Sequence, residues 1–147
     1  MSTSLIPTVL TQLVTLFDAA LSIDVHDGPP GKNSPPDGLY IGATDDDTSI
    51  PFEQRWAGQG HIAKDETFEV PNLLYASSGD GGFAAQRTDA FANLALIENV
   101  LRSNPTLGIS TNAVRAQFGT SGEVVQIHSS KGPVCRVRFT INIEGRI

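Results

Sequence analysis

The sequence has few of the residues that build cross-linked or reactive sites. Of its 147 residues, one is Cys, one is Met and one is Trp, and only 18% carry a charge. The single cysteine, Cys135, excludes an intramolecular disulfide, and its apolar neighbours predict a small buried side chain on a strand. No stretch approaches 18 consecutive apolar residues, and the N-terminus lacks the basic and apolar regions of a signal peptide. We therefore expect a soluble protein without a membrane span, made in a reducing cytoplasm.

The motifs of common catalytic and metal centres are also missing. The chain contains no G-x-S-x-G, no C-x-x-C and no G-K-[ST]. The acidic triplet Asp45, Asp46 and Asp47 lacks the glycine and the terminal glutamate of an EF-hand loop. The three histidines share no motif with one another: His26, His61 and His128. We predict no catalytic residue, no metal site and no cofactor.

One glycine-rich stretch comes close to an enzyme motif. Residues 79–84 match G-x-G-x-x-A between a predicted strand and a predicted helix. A dinucleotide fingerprint needs a parallel β-α-β unit and an acidic residue that ends the next strand. Glu98, at about the right distance, falls inside the same predicted helix. The stretch therefore favours a flexible helix entry, and a small nucleotide-binding enzyme using Gly79 to Phe83 is the distant alternative.

The charge balance is acidic, with a net charge of −6 and a pI near 4.8. This balance argues against a protein that grips nucleic acid tightly, because such proteins present a basic surface to the phosphates. It suits a surface that DNA must slide past without sticking, since like charges repel.

Two helices are predicted. Residues 4–20 have apolar side chains at spacings of three and four, with Pro7 in the first turn, where its missing N–H costs nothing. Residues 83–103 form the longest run without Gly or Pro. In this second helix one apolar stripe faces the core, widened by Phe91, and its members are Phe83, Ala90, Leu94, Ile97 and Leu101.

The second helix also carries a separate apolar spot. Leu96 and Val100, four residues apart, lie on a different side from the stripe. Two interpretations stay open: they meet the N-terminal helix of the same chain, or they contact another subunit.

Strand patterns fill most of the remaining chain. Period-two alternation or short apolar runs predict strands at residues 21–26, 39–43, 66–77, 113–118, 123–128 and 135–143. Pro71 removes a ladder donor, so an edge position or a bulge is expected there. The last two segments predict a hairpin around residues 130–133. We predict a single α+β domain over residues 1–147, in two layers, with a mainly antiparallel sheet of five or six strands packed against two helices.

A long loop is predicted at about residues 44–64. It begins with the acidic triplet and contains Phe52 and Trp56. Loops of this length inside a small domain are usually functional, and aromatic side chains in a polar loop indicate docking on a partner. The alternative is that Trp56 folds back and plugs its own domain.

The final hairpin is basic, in contrast to the acidic first two-thirds of the chain. Lys131, Arg136, Arg138 and Arg146 belong to it. Such a hairpin would pair with the acidic loop of a neighbouring copy if subunits joined head to tail in a ring. The alternative is a solvated sheet face.

The order of these segments resembles tail terminator proteins of long-tailed bacteriophages, especially those that infect actinobacteria. The resemblance covers most of the chain in order, outside residues 44–64. After the leading helix, it rests on these short motifs: Val25-His26-Asp27-Gly28-Pro29-Pro30, Leu39-Tyr40-Ile41-Gly42, Ser78-Gly79-Asp80, Arg87, and Leu101-Arg102-Ser103-Asn104-Pro105-Thr106-Leu107-Gly108.

The resemblance implies a structural virion protein of the tail neck that is assembled in the host cytoplasm. Members of this family form a hexameric ring on the head-proximal end of the tail tube, stop tube growth and receive the connector proteins of the head. The implied partners are further copies of the chain, the tail-tube protein, the connector or stopper protein, and genomic DNA that passes through the lumen without specific binding. Another head–tail joining protein, such as a stopper, is the neighbouring alternative.

Overall fold

The computed structural model describes residues 3–31, 37–44, 48–58, 62–77, 82–130 and 132–147. Within these ranges the chain forms two helices, α1 (Ile6–Ala20) and α2 (Phe83–Ser103), and six strands. The strands are β1 (Val25–Asp27), β2 (Gly38–Ile41), β3 (Phe52–Trp56), β4 (Lys64–Ala76), β5 (Arg115–Ser129) and β6 (Gly132–Arg146).

The six strands make one mainly antiparallel sheet in the order β1-β2-β4-β6-β5. Strand β4 is central, and β6 pairs with nearly its whole length on one side. On the other side, β3 pairs with residues 64–68 of β4 and β2 pairs with residues 72–75. Strands β1 and β2 are parallel, and the other pairs are antiparallel.

Both helices cover the same face of the sheet. Helix α2 packs on β4, β5 and β6, while α1 packs on β1, β2 and α2. Val9, Leu13 and Phe17, at a spacing of four, are fully buried and give α1 one core-facing stripe. The sheet contributes alternate residues to the same core, because successive side chains of a strand point to opposite faces. The prediction of a two-layer α+β fold with a mainly antiparallel sheet packed against two helices is confirmed.

The hairpin β5–β6 follows the predicted alternation. Cys135, Val137, Phe139, Ile141 and Ile143 are all buried on the helix-facing side of β6. Strand β5 is longer than predicted and joins the two segments expected at residues 113–118 and 123–128. A bulge between Phe118 and Gly122 interrupts its pairing with β6, which explains why the alternation looked like two separate strands.

Helix α2 has the predicted bounds, and most of its core stripe is in place. Ala90, Ile97 and Leu101 are buried, and Leu94 packs against the core. The expectation that Phe91 widens this stripe is wrong, because its side chain is 46% exposed. The buried surface lies to the other side of the stripe, where Gln86 is fully buried.

Three strand predictions need correction. The region 44–64 is not one irregular loop, because β3 lies inside it and pairs with the start of β4. Residues 21–24 are not extended strand: the Leu21 N–H donates to the Phe17 carbonyl and closes α1. The strand of Pro71 is central rather than an edge, and Pro71 lies in the gap between β2 and β3. There its carbonyl accepts from the Ala43 N–H, so its missing N–H faces no strand.

Candidate functional site

Strand β3 presents two large aromatic side chains to solvent. Phe52 is 55% exposed and Trp56 is 54% exposed. They lie two positions either side of Gln54, so all three point to the helix-facing side of the sheet. The half-exposed side chain of Trp56 therefore does not pack into the core of its own domain. The Lys64 ammonium lies over the Trp56 ring, 5.5 Å from the ring centroid.

A buried carboxylate holds this strand in place. Glu66, opposite Gln54 on β4, is fully buried and accepts a hydrogen bond from the Gln54 side-chain amide. Its other oxygen accepts from the Leu5 N–H at 2.7 Å and from the Ser4 hydroxyl at 3.0 Å. The start of α1, β3 and β4 are thus connected through one side chain, which also places a negative charge at the N-terminus of α1.

Gln54 extends the same network to its other neighbours. Its amide N–H donates to the Thr3 carbonyl at 2.8 Å, and its amide oxygen accepts from the Lys64 ammonium at 3.0 Å. The backbone of β3 is therefore fixed on both sides of its central residue, although its two aromatic side chains are half exposed. An exposed apolar surface on a fixed backbone is typical of a preorganised contact site.

Ile62 continues the apolar surface in the connection from β3 to β4. Its side chain is 85% exposed, and the Ala57 N–H donates to the Ala63 carbonyl where this connection closes. We call Phe52, Trp56 and Ile62 the β3 surface. Half of the six large apolar side chains that the described part of the chain exposes belong to it.

The apolar spot predicted on α2 is only partly available. Leu96 is 46% exposed, whereas Val100 is partly buried against the core of its own chain. The outward face of the helix is nevertheless poor in charge around Leu96. Besides Phe91, it carries the exposed alanines Ala84, Ala85, Ala92 and Ala95.

The arginines of the final hairpin lie beside carboxylates of the same chain. Arg138 bonds Glu123 at 3.1 Å, and Arg146 bonds Asp65 at 2.7 Å. The hydrogen bond from Arg146 lowers the pKa of the Asp65 carboxyl below its usual range. The charges of two of the four basic residues predicted for this hairpin are therefore balanced within the fold.

Other predicted contact residues are placed less fully. Arg136 is half-buried on β6, with the charged Arg138 two positions further along the same face. Lys131 and the acidic triplet Asp45, Asp46 and Asp47 lie outside the described residues. The sheet does not bring the arginines of β6 together with the β3 surface, since β4 separates the two strands and the β3 aromatics point to the opposite face.

The surroundings of the glycine-rich stretch differ from a dinucleotide site. Residues 78–81 lie outside the described residues, but the strand before them is β4, and its partners β2, β3 and β6 all run antiparallel to it. A dinucleotide-binding β-α-β unit requires adjacent parallel strands at this point.

Burial raises the pKa of the Cys135 thiol, which disfavours the reactive thiolate. Within the described ranges, no three side chains of His, Cys, Asp and Glu are grouped as metal ligands.

Sequence reasoning selected Phe52 and Trp56 but missed the residues that position them. Glu66 and Gln54 gave no signal, because a buried carboxylate and an amide look like ordinary surface residues of an alternating strand. Ile62 was also missed, although an isoleucine between polar residues in a predicted loop was a usable signal.

Comparison with known proteins adds no relative. The chain matches no model of a known protein family, and a search of curated proteins also gives no match. Neither of the two described helices is long and apolar enough to cross a membrane.

Proposed function

We propose that this chain is a structural subunit of the neck of a long-tailed bacteriophage. In this proposal, copies of the chain form a ring on the head-proximal end of the tail tube, end tube growth and join the tail to the head connector. Support comes from the order of short motifs that resembles tail terminator proteins and from the two-layer α+β fold, which is the fold class that the resemblance implies.

The observation that carries the proposal is the β3 surface. Phe52 and Trp56 are about half exposed on a strand whose backbone is fixed by Gln54 and Glu66. Covering the exposed halves of two aromatic side chains, about 100 Å² each, contributes up to about 5 kcal/mol to a contact. Among the described residues both side chains stay about half exposed, and a partner that covers them accounts for this exposure.

The charge of the molecule agrees with a channel for DNA. The net charge is −6, and two of the three arginines of β6, Arg138 and Arg146, pair with carboxylates. A ring of such subunits presents little free positive charge to phosphates, so DNA would pass through the lumen without specific binding.

The proposal is tested by the mass of the purified protein and by the protein content of virions. We expect oligomers in solution or incorporation into tails, and copies of the chain in the mature particle. Replacing Phe52 and Trp56 together by Ser should leave the fold intact and abolish incorporation. The matched control is Val124→Ser, which removes another apolar side chain of similar exposure, 44%, from a different strand.

Two results decide against the proposal. One is a wild-type chain that is strictly monomeric and also absent from virions. The other is incorporation of the double Ser variant at the wild-type level, which would show that the β3 surface is not the contact. Cross-links to the tail-tube protein favour a terminator, whereas cross-links confined to connector proteins favour a stopper.

A further inference from the structure

The second half of β5 is an open edge of the sheet, in contrast to its start. At the start, the Ala116 N–H points away from β6 and donates to the Pro105 carbonyl at 2.7 Å. Backbone groups alternate in direction along a strand, and the residues of β6 opposite Ala116 and Val124 are an even number of positions apart. Val124, Gln126 and His128 therefore also point their N–H and C=O groups away from β6. No described residue bonds these backbone groups.

This part of β5 also lacks the usual protection of a sheet edge. Residues 122–128 contain no Lys and no Pro, and their acidic residue, Glu123, already pairs with Arg138. Natural sheets blunt their edges with such residues, because unpaired N–H and C=O groups are a template for another strand. Residues 122–128 thus offer backbone groups to a further strand.

Strand β3 offers the complementary edge on the other side of the sheet. Directly after β3, the Ala57 N–H donates to the Ala63 carbonyl, which leads back into β4. The odd-numbered residues of β3 therefore direct their backbone groups towards β4, and Phe52 and Gln54 direct theirs away from it. No described residue bonds the backbone groups of Phe52 or Gln54.

The strand directions and faces fit if the sheet continues into a second copy. From β3 through β4 and β6 to β5, every neighbouring pair is antiparallel, so β3 runs antiparallel to β5. A neighbour's β3 beside β5 in the same orientation continues this alternation. The residues with outward backbone groups lie on the helix-facing side of both strands, since Val124 is opposite the buried Val137. Both edges can therefore join without turning either sheet over.

One register brings the exposed apolar side chains of the two edges together. It sets the three helix-facing residues of β3 beside three of β5, and four backbone hydrogen bonds then join the outward groups of two of these pairs. The exposed ring of Trp56 lies beside an apolar side chain that is itself 44% exposed. The three pairs are Phe52 with His128, Gln54 with Gln126, and Trp56 with Val124.

Strand β1 limits how far the hairpin of the neighbour can reach. In this register Ser130 would lie level with Val70 of β4, two strands away. From the level of Asn72 onwards the same lateral position is occupied by β1, whose Asp27 is level with Asn72 through β2. A shift by two residues towards β1 would put Ser130 in the place of Asp27. A shift the other way would separate the apolar side chains of the two edges.

We propose that residues 122–128 of β5 pair antiparallel with β3 of a neighbouring copy, in the register that sets Gln126 opposite the neighbour's Gln54. This inference deepens the proposed function and rests on it, because it names the joint between ring subunits. The two edges differ, so the contact is heterologous, and such contacts build a closed ring when the rotation between copies closes.

Disulfide trapping tests the joint in the full-length chain. In the proposed register Arg55 is opposite the neighbour's Val125 in a non-hydrogen-bonded pair, with Cα atoms about 4.5 Å apart, within the roughly 7 Å that a disulfide allows. Inside one chain the same residues are level with Arg146 and Arg136, ten residues apart on β6, which is more than about 30 Å. No bond can therefore form within a chain. The native Cys135 is fully buried and is retained.

We expect oxidation of the variant with Arg55→Cys and Val125→Cys to give a ladder of covalent oligomers that ends at the size of the closed ring. The matched control is Arg55→Cys with Gln117→Cys, which moves the second thiol eight residues along the same face of β5, about 26 Å away. The control should stay uncross-linked. If the purified chain is monomeric, both variants are oxidised after assembly on tails.

A proline tests the backbone bonds of the joint separately. The Gln126 N–H faces away from β6, so Gln126→Pro removes no bond of the sheet within the chain, and proline is tolerated at such an edge position. It removes one bond of the joint and leaves the neighbour's Gln54 carbonyl without its donor, which should weaken each subunit contact about tenfold.

The matched control for the proline is Gln126→Ser. It loses the same side-chain amide and its bond to Arg87 but keeps the N–H, so it should assemble like the wild type. Val124→Ser likewise keeps every backbone bond of the joint and should still assemble. Circular dichroism of all three variants is expected to match the wild type.

The outcomes separate the inference from the function on which it rests. Rings that form without cross-linking of the Arg55/Val125 pair, or with cross-linking of the control pair, overturn the β3–β5 joint and leave the ring proposal in place. Assembly of Gln126→Pro at the level of Gln126→Ser does the same. A chain that forms no oligomer in solution or on tails overturns both.

Discussion

Replacing Glu66 by Gln should destabilise the protein, because the carboxylate is the centre of a buried hydrogen-bond network. The carboxylate is fully buried and accepts three hydrogen bonds, from the Leu5 N–H, the Ser4 hydroxyl and the Gln54 amide. Glutamine has almost the same shape, but one of its two terminal atoms is a donor. That donor must face either the Leu5 N–H or the Gln54 amide N–H.

Turning the Gln54 amide does not relieve this conflict. Its N–H group already donates to the Thr3 carbonyl, and its oxygen already accepts from the Lys64 ammonium. A reversed amide would lose both partners. The substitution therefore leaves one buried donor without an acceptor in either orientation of the new amide.

The size of the effect follows from the bonds that change. A hydrogen bond to a charged group contributes about 1.5–3 kcal/mol and a neutral one about 0.5–1.5 kcal/mol, and an unsatisfied buried donor costs about 1–3 kcal/mol. Glutamine is cheaper to bury than a carboxylate, which offsets part of this loss. We expect a loss of about 2–3 kcal/mol, or a decrease in Tm of about 5–10 °C for a domain of this size.

Urea unfolding and thermal melting at neutral pH measure this difference. The control is Glu69→Gln on the same strand, where the side chain is exposed on the other face of the sheet; it should change stability by less than about 0.5 kcal/mol. A Glu66→Gln variant within about 0.5 kcal/mol of the wild type would show that the network does not hold β3 and α1 together.

Two further predictions concern the hairpin and its charges. Gly119→Ala should lower the free energy of unfolding, measured in urea, by about 1–3 kcal/mol, because an added Cβ would lie 2.8 Å from the Thr140 carbonyl oxygen. The control is Gly82→Ser at the start of α2, where an added Cβ has no atom within 4 Å. Its free energy of unfolding should stay within about 0.5 kcal/mol of the wild type. The hydrogen bond from Arg146 lowers the pKa of Asp65, so this carboxylate stabilises the fold at neutral pH, and that contribution disappears as pH falls from about 4 towards the folded pKa. Asp65→Asn should therefore melt below the wild type at pH 7, and this difference in Tm should shrink as the pH falls below about 4. A difference that stays the same across this pH range would refute the role of the ion pair.

The elements that could be predicted from the sequence are those with strong local periodicity. Helix α2 was predicted with its observed bounds, and the buried side of β6 follows the alternation from Cys135 to Ile143. Both signals are local, because each residue's environment depends on the helix or strand period of its own segment.

Strand β3 could not be recognised from the same periodicity. Its sequence, from Phe52 to Trp56, has no buried side, and its extended conformation depends on pairing with β4. The alternation of Phe52, Gln54 and Trp56 was the available signal, but Pro51 and two nearby glycines, Gly58 and Gly60, favoured a loop. The opposite error occurred at residues 21–24, where alternating apolar residues predicted a strand. These residues follow the end of α1, and Leu21 is its C-cap.

The candidate site was predictable as residue types but not as an arrangement. Phe52 and Trp56 were selected because aromatic side chains among polar neighbours indicate a contact. The network that fixes these side chains depends on the register that sets Gln54 of β3 opposite Glu66 of β4, and no local pattern encodes such a register.

Growth of tail tubes from purified tube protein tests the central proposal most directly. Under the proposal, the genome that encodes this chain also encodes a tube protein, and the length of tubes grown from it is measured by electron microscopy with and without the chain. If the chain is a terminator, a few copies for each tube stop elongation and a ring is visible at one end, whereas the variant with Phe52 and Trp56 replaced by Ser leaves elongation unchanged. Tubes that grow equally long with the wild-type chain, and carry no ring, would contradict the proposal.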